Sequence, residues 1–306
     1  MIFRYEYQGG VWIDLEQPSE EEIRQIAHEF KIGGRIEKEL ISPTPTPLVV
    51  SDAGVALLVL HFPAHGTEKG ETMSQEVDFV IGSHFILTVR YEVVAPLYNL
   101  KKLFETQKLV APHTLITADV LFEILFVHLY TSVRDHINHV VEHLVHVERD
   151  MFDGAERMTV RSISSIRREF LHIEAALANQ EEPLSRFFNT LKQHEFFNAL
   201  FAERTEHILT ERAQVSRLVK THRAVASELR ETNIALLEAR QNEIMKTLTT
   251  VNFIFLPLGL ISWIFTMRTE GMPLIDSPNA FWIVLAIMFG VAIVLTIFFT
   301  KRRWIF

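Results

Sequence analysis

Cysteine is absent from this 306-residue chain, which excludes a disulfide framework and any zinc site built on thiolates. The chain also lacks a glycine-rich phosphate loop, a Gly-x-Ser-x-Gly elbow and a Walker pattern. No nucleophile, base and oxyanion donors can be assembled from its motifs. We therefore expect a protein that is not an enzyme and that carries no prosthetic group.

The chain before Leu248 also has no excess of basic residues. The residues before Leu248 include 26 basic and 36 acidic side chains, a net charge of −10. Such an acidic segment argues against nucleic acid as a partner and is compatible with attracting cations. The first residues, Met1–Tyr7, lack the apolar core of a signal peptide, so membrane insertion is expected to depend on segments further along.

Glycine and proline become scarce after Pro112, which predicts a mainly helical region. Gly154 and Pro183 divide that region into long helices. The last helix meets no breaker before Pro257; if it continues to Met267, it has about 65 residues and a length of roughly 95 Å. The predicted helices are Thr117–Phe152, Arg161–Asn179, a third from Pro183 and a fourth from Glu203.

The residues before Pro112 alternate between strand and helix signals and predict a small sheet with helices on it. Ser19 and Glu22 form a capping-box pattern that starts a helix, and three prolines between Pro43 and Pro47 indicate a loop. A second short helix is expected to end near Ile41, and a third covers Ala95–Thr106. The predicted strands are Val11–Leu15, Val55–Phe62, Glu76–Ile81 and Phe85–Tyr91.

Two uncharged apolar runs close the sequence, Leu248–Met267 with twenty residues and Ala280–Thr300 with twenty-one. Each is long enough to cross a hydrocarbon core of about 30 Å as a helix. Only twelve residues separate the runs, and the basic cluster Lys301–Arg303 follows the second. The positive-inside rule then predicts a multi-pass protein of the cell's inner (plasma) membrane, with its N- and C-termini in the cytoplasm.

Three motifs around this hairpin carry a family resemblance: Glu243-Ile-Met-Lys-Thr-Leu-Thr249, Phe255-Leu-Pro-Leu258 and Gly271-Met-Pro273. The chain resembles the CorA/ZntB-type divalent metal ion transporters. The resemblance implies an α+β cytoplasmic domain (1–112), long stalk helices (113–247) and a two-helix transmembrane hairpin (248–306). It also implies a homopentameric funnel in the lipid bilayer, which transports divalent metal cations.

The outer mouth departs from the family pattern. Thr266-Met267-Arg268 stands where the family has Gly-Met-Asn. This resembles the zinc-transporting side of the family, so zinc is our leading ion; magnesium, cobalt or nickel is the alternative, and a non-conducting membrane-anchored scaffold or regulator is another.

Arg268 places one positive charge per subunit where a cation should enter. We expect it to point away from the axis or to pair with Glu270 or Asp276 of the outer loop. Those two carboxylates are candidates for the ion pathway, since carboxylates at a mouth concentrate cations. The alternative is an ordinary solvated loop.

One face of the first membrane helix follows from helical spacing. Its residues are Met245, Leu248, Asn252, Leu256 and Gly259, which we call the pore stripe. In the family the matching positions line the pore, and the first two form an apolar constriction. Asn252 is polar inside an apolar run, and a ring of its amide oxygens would suit a hydrated cation. The alternative is a hydrogen bond to a neighbouring helix.

Four histidines form a stripe at spacings of three, four and three on the helix from Thr117: His136, His139, His143 and His146. Imidazoles at such spacing can share a zinc or similar ion, whereas magnesium prefers carboxylate and water. The alternative is a polar helix flank that happens to use histidine.

The long helix from Glu203 carries an apolar stripe of its own, which predicts a packing partner along its length. Either the chain's own helices cover it, or it mediates self-association about an axis, as the family resemblance implies. Its members are Val215, Leu218, His222, Val225, Leu229 and Leu236.

Overall fold

The computed structural model describes residues 2–63, 74–110, 116–194, 196–197, 200–267 and 279–301, without the side chains of 107–110, 156 and 280. The chain divides into two compact units, Met1–Arg230 and Glu231–Phe306. The strands are β1 (Ile2–Tyr7), β2 (Gly10–Glu16), β3 (Leu48–Asp52), β4 (Val55–Pro63), β5 (Ser74–Gly82) and β6 (Phe85–Arg90). The helices are α1 (Glu20–Glu29), α2 (Gly34–Leu40), α3 (Ala95–Val110), α4 (Ala118–Phe152), α5 (Glu156–Asn179), α6 (Glu181–Gln193), α7 (Phe201–Thr266) and α8 (Ala280–Lys301).

The six strands form one sheet in the order β1-β2-β6-β5-β4-β3. Only the β2–β6 pair is parallel among the paired strands of the described residues. The β3–β4 hairpin turns at Ala53 and Gly54, which both have positive φ, as two-residue hairpins favour. The four predicted strands are present; β1 and β3, which the sequence analysis missed, are the two edge strands.

Helices α1 and α2 cover one face of the sheet. The predicted capping box is confirmed: the Glu22 amide donates to Ser19 Oγ at 3.2 Å, and the Ser19 amide donates to Glu22 Oε2 at 2.9 Å. The helices bury Ile23, Ile26, Ile36 and Leu40 against alternate residues of the strands. The strand residues of this core are Ile13, Leu15, Val50, Val55, Leu57, Val59, Val80, Phe85, Leu87 and Val89.

Helices α3 and α4 pack on the opposite face through aromatic side chains. The Phe79 and Phe126 rings stack with centroids 4.5 Å apart, and Trp12 meets Phe104 edge-on at 5.7 Å. A buried ion pair lies on this face, where Arg90 Nη2 donates to Asp14 Oδ2 at 2.8 Å. These strands are therefore buried on both faces, which explains their nearly continuous apolar sequences.

The long helices agree with the scarcity of glycine and proline. α5 begins at Glu156, five residues before the predicted start, because the chain re-enters helical geometry directly after Gly154. α7 continues for 66 residues through Pro257, which confirms the prediction of one uninterrupted helix.

The apolar stripe predicted on this long helix is partly displaced. Val215 and Leu229 are buried, but Val225 is 49% exposed, and Val219 and Ala226 are buried instead. Leu218 and Leu236 are half-buried. The buried face of α7 thus lies one residue away from the predicted one, and its flank is left accessible.

Candidate ion pathway

Two helices, α7 and α8, are long and apolar enough to cross a membrane by length and composition. Few of their residues in the apolar windows are buried within the chain. Phe253 of α7 approaches Phe299 of α8 with ring centroids 6.1 Å apart. The surfaces of both helices that the chain leaves open are available for lipid or for other subunits.

The apolar part of α7 has two distinct faces. Most of its less exposed residues share one side of the helix: Thr250, Ile254, Pro257, Leu258, Ile261 and Phe265; Thr249 and Gly259 are also half-buried. At about 100° per residue, the pore stripe lies on nearly the opposite side of the helix. Met245 and Leu248 are each 52% exposed, and Leu256 is 71% exposed. Four of the five pore-stripe residues therefore lie on a surface that this chain leaves open, and Gly259 is half-buried.

Asn252 is exposed in the middle of that face. The nearby threonines satisfy their hydroxyls locally: Thr249 Oγ1 donates to the Met245 carbonyl at 2.7 Å, and Thr250 Oγ1 donates to the Lys246 carbonyl at 2.9 Å. Among the described residues, the Asn252 amide has no such partner. In a hydrocarbon environment a polar amide must meet water, an ion or another helix.

Gly259 ends the pore stripe. A Cβ at this position would meet open space within the chain, and its backbone is ordinary helix. Glycine in a helix interior costs roughly 1 kcal/mol relative to alanine. Nothing in the described chain therefore requires glycine here.

The described part of the predicted outer mouth is short. Thr266 is exposed, and its hydroxyl donates to the Ser262 carbonyl at 2.7 Å; Met267 is 62% exposed. Arg268, Glu270 and Asp276 lie outside the described residues. Their predicted roles stay predictions.

The four histidines of the stripe on α4 lie in two different environments, one buried and three exposed. His136 is 4% exposed, and its Nε2 lies 2.7 Å from Glu169 Oε1 on α5. His139, His143 and His146 are exposed. No group of three or more His, Asp or Glu in the described ranges is arranged to hold a metal ion. His136 thus has a partner within the fold, and metal binding by the stripe stays a prediction.

A model of the family described as "CorA-like Mg2+ transporter protein" matches residues 7–303, nearly the whole chain. This chain belongs to the CorA-like Mg2+ transporter family. It is therefore a divalent cation transporter of the membrane and not an enzyme, as the sequence predicted.

Two transport proteins are similar to this chain along most of their length. A cobalt/magnesium transport protein CorA of Methanocaldococcus jannaschii is 21% identical over 96% of this chain and 91% of its own. The putative metal ion transporter YfjQ of Bacillus subtilis is 23% identical over 96% of this chain and 89% of its own.

Solved structures show that the fold is shared. The complete CorA magnesium transporter of M. jannaschii superposes with a TM-score of 0.83 at 21% identity and covers 99% of this chain and 93% of its own. The ZntB cytoplasmic domain of Vibrio parahaemolyticus superposes with a TM-score of 0.61 at 10% identity. The match covers 76% of this chain and 89% of that domain. The predicted fold class, a mixed α/β domain followed by a long helix and two apolar helices, is confirmed.

One feature of this CorA-family chain was missed by the sequence analysis: a buried polar cluster in the sheet. Glu76 and Asp78 lie on one side of β5, and His61 of β4 pairs in register with Glu76. Both Glu76 oxygens accept from the Thr44 amide, at 2.9 and 2.8 Å. The period-two spacing of Glu76 and Asp78 inside a predicted strand was the available signal.

The Asp78 carboxyl in this cluster has Tyr91 as its neighbour. The Tyr91 hydroxyl lies 2.9 Å from the Leu40 carbonyl and donates to Asp78 Oδ2 at 3.1 Å. The bond from Tyr91 favours the ionised carboxyl, but burial outweighs it. Burial, and then the charge of Glu76, raises the pKa of Asp78 well above its usual range.

Proposed function

We propose that this chain assembles as a homopentamer whose first membrane helices surround a pore for divalent cations, lined by the pore stripe. The observation that carries the proposal is the placement of Asn252. It lies on the open face of α7, without a partner among the described residues, in an otherwise apolar segment. A ring of amide oxygens would replace part of the water around a passing cation.

Zinc is the transported ion that we propose first, on the replacement of the Gly-Met-Asn signature by Thr266-Met267-Arg268. Magnesium, cobalt or nickel is the second candidate, and the names of the CorA relatives favour it. Magnesium gives up its water reluctantly and prefers oxygen ligands, so a wide amide ring suits it as well. A non-conducting scaffold is the third reading, which rests on Arg268 alone.

The membrane is proposed to be the cell's inner (plasma) membrane, with both termini in the cytoplasm. Support comes from Lys301, Arg302 and Arg303 immediately after the second apolar run, against one basic residue, Arg268, in the loop between the runs.

Flux into proteoliposomes tests the proposal, with zinc, magnesium and cobalt measured in parallel. Asn252→Leu is expected to lower flux about tenfold or more, a barrier of ~1.4 kcal/mol, because it removes the polar ring from an apolar tube. Thr296→Leu is the matched control, since the Thr296 hydroxyl bonds to the Ala292 carbonyl of its own helix.

Each outcome of this test assigns a function. Flux that is unchanged by Asn252→Leu places Asn252 against a helix instead of the pore. A wild-type protein that carries none of the three ions is a scaffold. Magnesium or cobalt flux well above zinc flux favours the second candidate ion.

A further inference from the structure

Glu238 continues the pore stripe towards the cytoplasmic part of α7. It lies seven residues before Met245, and Asn252 and Gly259 follow at the same interval. Seven residues make almost two helical turns, so each of these positions is offset from the next by only about 20° around the helix. Glu238 is exposed, like Met245 and Asn252. A carboxylate therefore stands on the open face of α7, about 10 Å along the axis from Met245.

The charge of Glu238 is not neutralised by its own helix. The residues three and four positions away, where helical ion pairs form, are Ile234, Ala235, Gln241 and Asn242. None of them is basic, and no ion pair joins Glu238 to another side chain in the described ranges.

Glu243 provides the contrast. It lies five residues from Glu238, which places it about 140° away around the helix. Arg240 and Lys246 flank it at a distance of three residues, where helical ion pairs form. The chain thus carries two glutamates at a similar depth on α7, and only Glu238 both lacks a basic residue three or four positions away and lies on the face of the pore stripe.

We propose that Glu238 is the cation-attracting residue of the cytoplasmic mouth, where one carboxylate from each subunit forms a ring that holds hydrated divalent cations next to Met245. This inference rests on the pore proposed above. Gln241 and Asn242 are the residues nearest this line between Glu238 and Met245, and both are uncharged. Further from the membrane run, Glu231 lies on the same line, seven residues before Glu238. Glu238 is therefore the charged residue nearest to Met245 on this line of the helix.

The expected role is electrostatic, so it depends on salt. A ring of like charges raises the local cation concentration, and added salt screens that effect over about 10 Å at 0.1 M. The carboxylates bind through the water shell of the ion, which suits magnesium and other strongly hydrated divalent cations.

Flux of the transported ion through the full-length protein, at low and at high ionic strength, tests the inference. Glu238→Gln is expected to lower the rate about threefold or more at low salt and to approach the wild type at high salt. Glu243→Gln is the matched control and should show little salt-dependent change. Elution of both variants at the wild-type oligomeric size verifies that they fold.

A second measurement introduces a single cysteine, which is unique because the chain has none of its own. Glu238→Cys introduces the only thiol per chain, and a ring of such thiols should make flux sensitive to micromolar Cd²⁺, whereas Glu243→Cys should not. If neither Glu238 variant differs from its control while Asn252→Leu still lowers flux, the inference about Glu238 is wrong and the pore stands. If the wild type carries no ion, both proposals fail.

Discussion

At the residue scale, Asp78 is the side chain whose chemistry is most altered by the fold. It is fully buried; Tyr91 donates a hydrogen bond to it, and Glu76 and Glu39 of α2 contribute negative charge nearby. Burial, and then the charge of Glu76, raise its pKa in the folded protein and so oppose its ionisation. The stability that it contributes is complete below the unfolded pKa of about 4 and is lost as pH rises through the folded pKa.

Replacement of this carboxyl by an amide should remove that pH dependence. We expect the thermal unfolding midpoint of the full-length protein in detergent to fall less steeply between pH 5 and 9 in Asp78→Asn than in the wild type. A wild-type slope that survives in the variant would assign the dependence to another group.

The pKa of Asp119 is shifted in the opposite direction to that of Asp78, so Asp119 serves as the control. Burial opposes its ionisation, but hydrogen bonds from Thr117 and Arg204 outweigh burial and lower its pKa. Asp119 therefore contributes stability above the unfolded pKa, and this is lost as pH falls. Asp119→Asn should flatten the acid side of the same profile and leave the alkaline side unchanged.

At the scale of the element, α7 combines a packed face with an open one along 66 residues. Pro257 removes one backbone donor, yet the helix continues past it. If the open face lines a pore, Leu248 forms an apolar constriction that stays closed by excluding water.

A hydroxyl group in place of the Leu248 side chain should allow water to enter the constriction. Leu248→Ser is expected to raise the leak of cations through proteoliposomes several-fold over the wild type. Val251→Ser is the control, because Val251 is exposed at 43% but lies outside the pore stripe. Equal leak in both variants would show that Leu248 faces lipid.

At the scale of the whole molecule, the proposed pore requires other subunits. Two membrane helices enclose no channel by themselves, and Val225 remains exposed on the part of α7 before the apolar run. We expect native mass spectrometry in mild detergent to give five chains of 35.4 kDa. A clean monomer would remove the pore from the proposal, because a single chain cannot surround an ion.

The sequence by itself determined the long-range plan of the protein. Scarce glycine and proline predicted the helices, two apolar runs predicted the membrane segments, and the Glu243–Thr249 motif indicated the family. These signals are local: each depends on backbone preference or hydropathy within one segment, so no knowledge of distant contacts was needed.

The tertiary structure decided which neighbours each segment meets. β1 and β3 were missed because edge strands are only half covered and carry a weak apolar pattern. His136 was grouped with exposed histidines, although Glu169 of another helix binds it. Asp78 received no role from the sequence, because its burial and its bond from Tyr91 depend on the packing of the sheet. Spacing along one chain segment cannot specify such burial and partners.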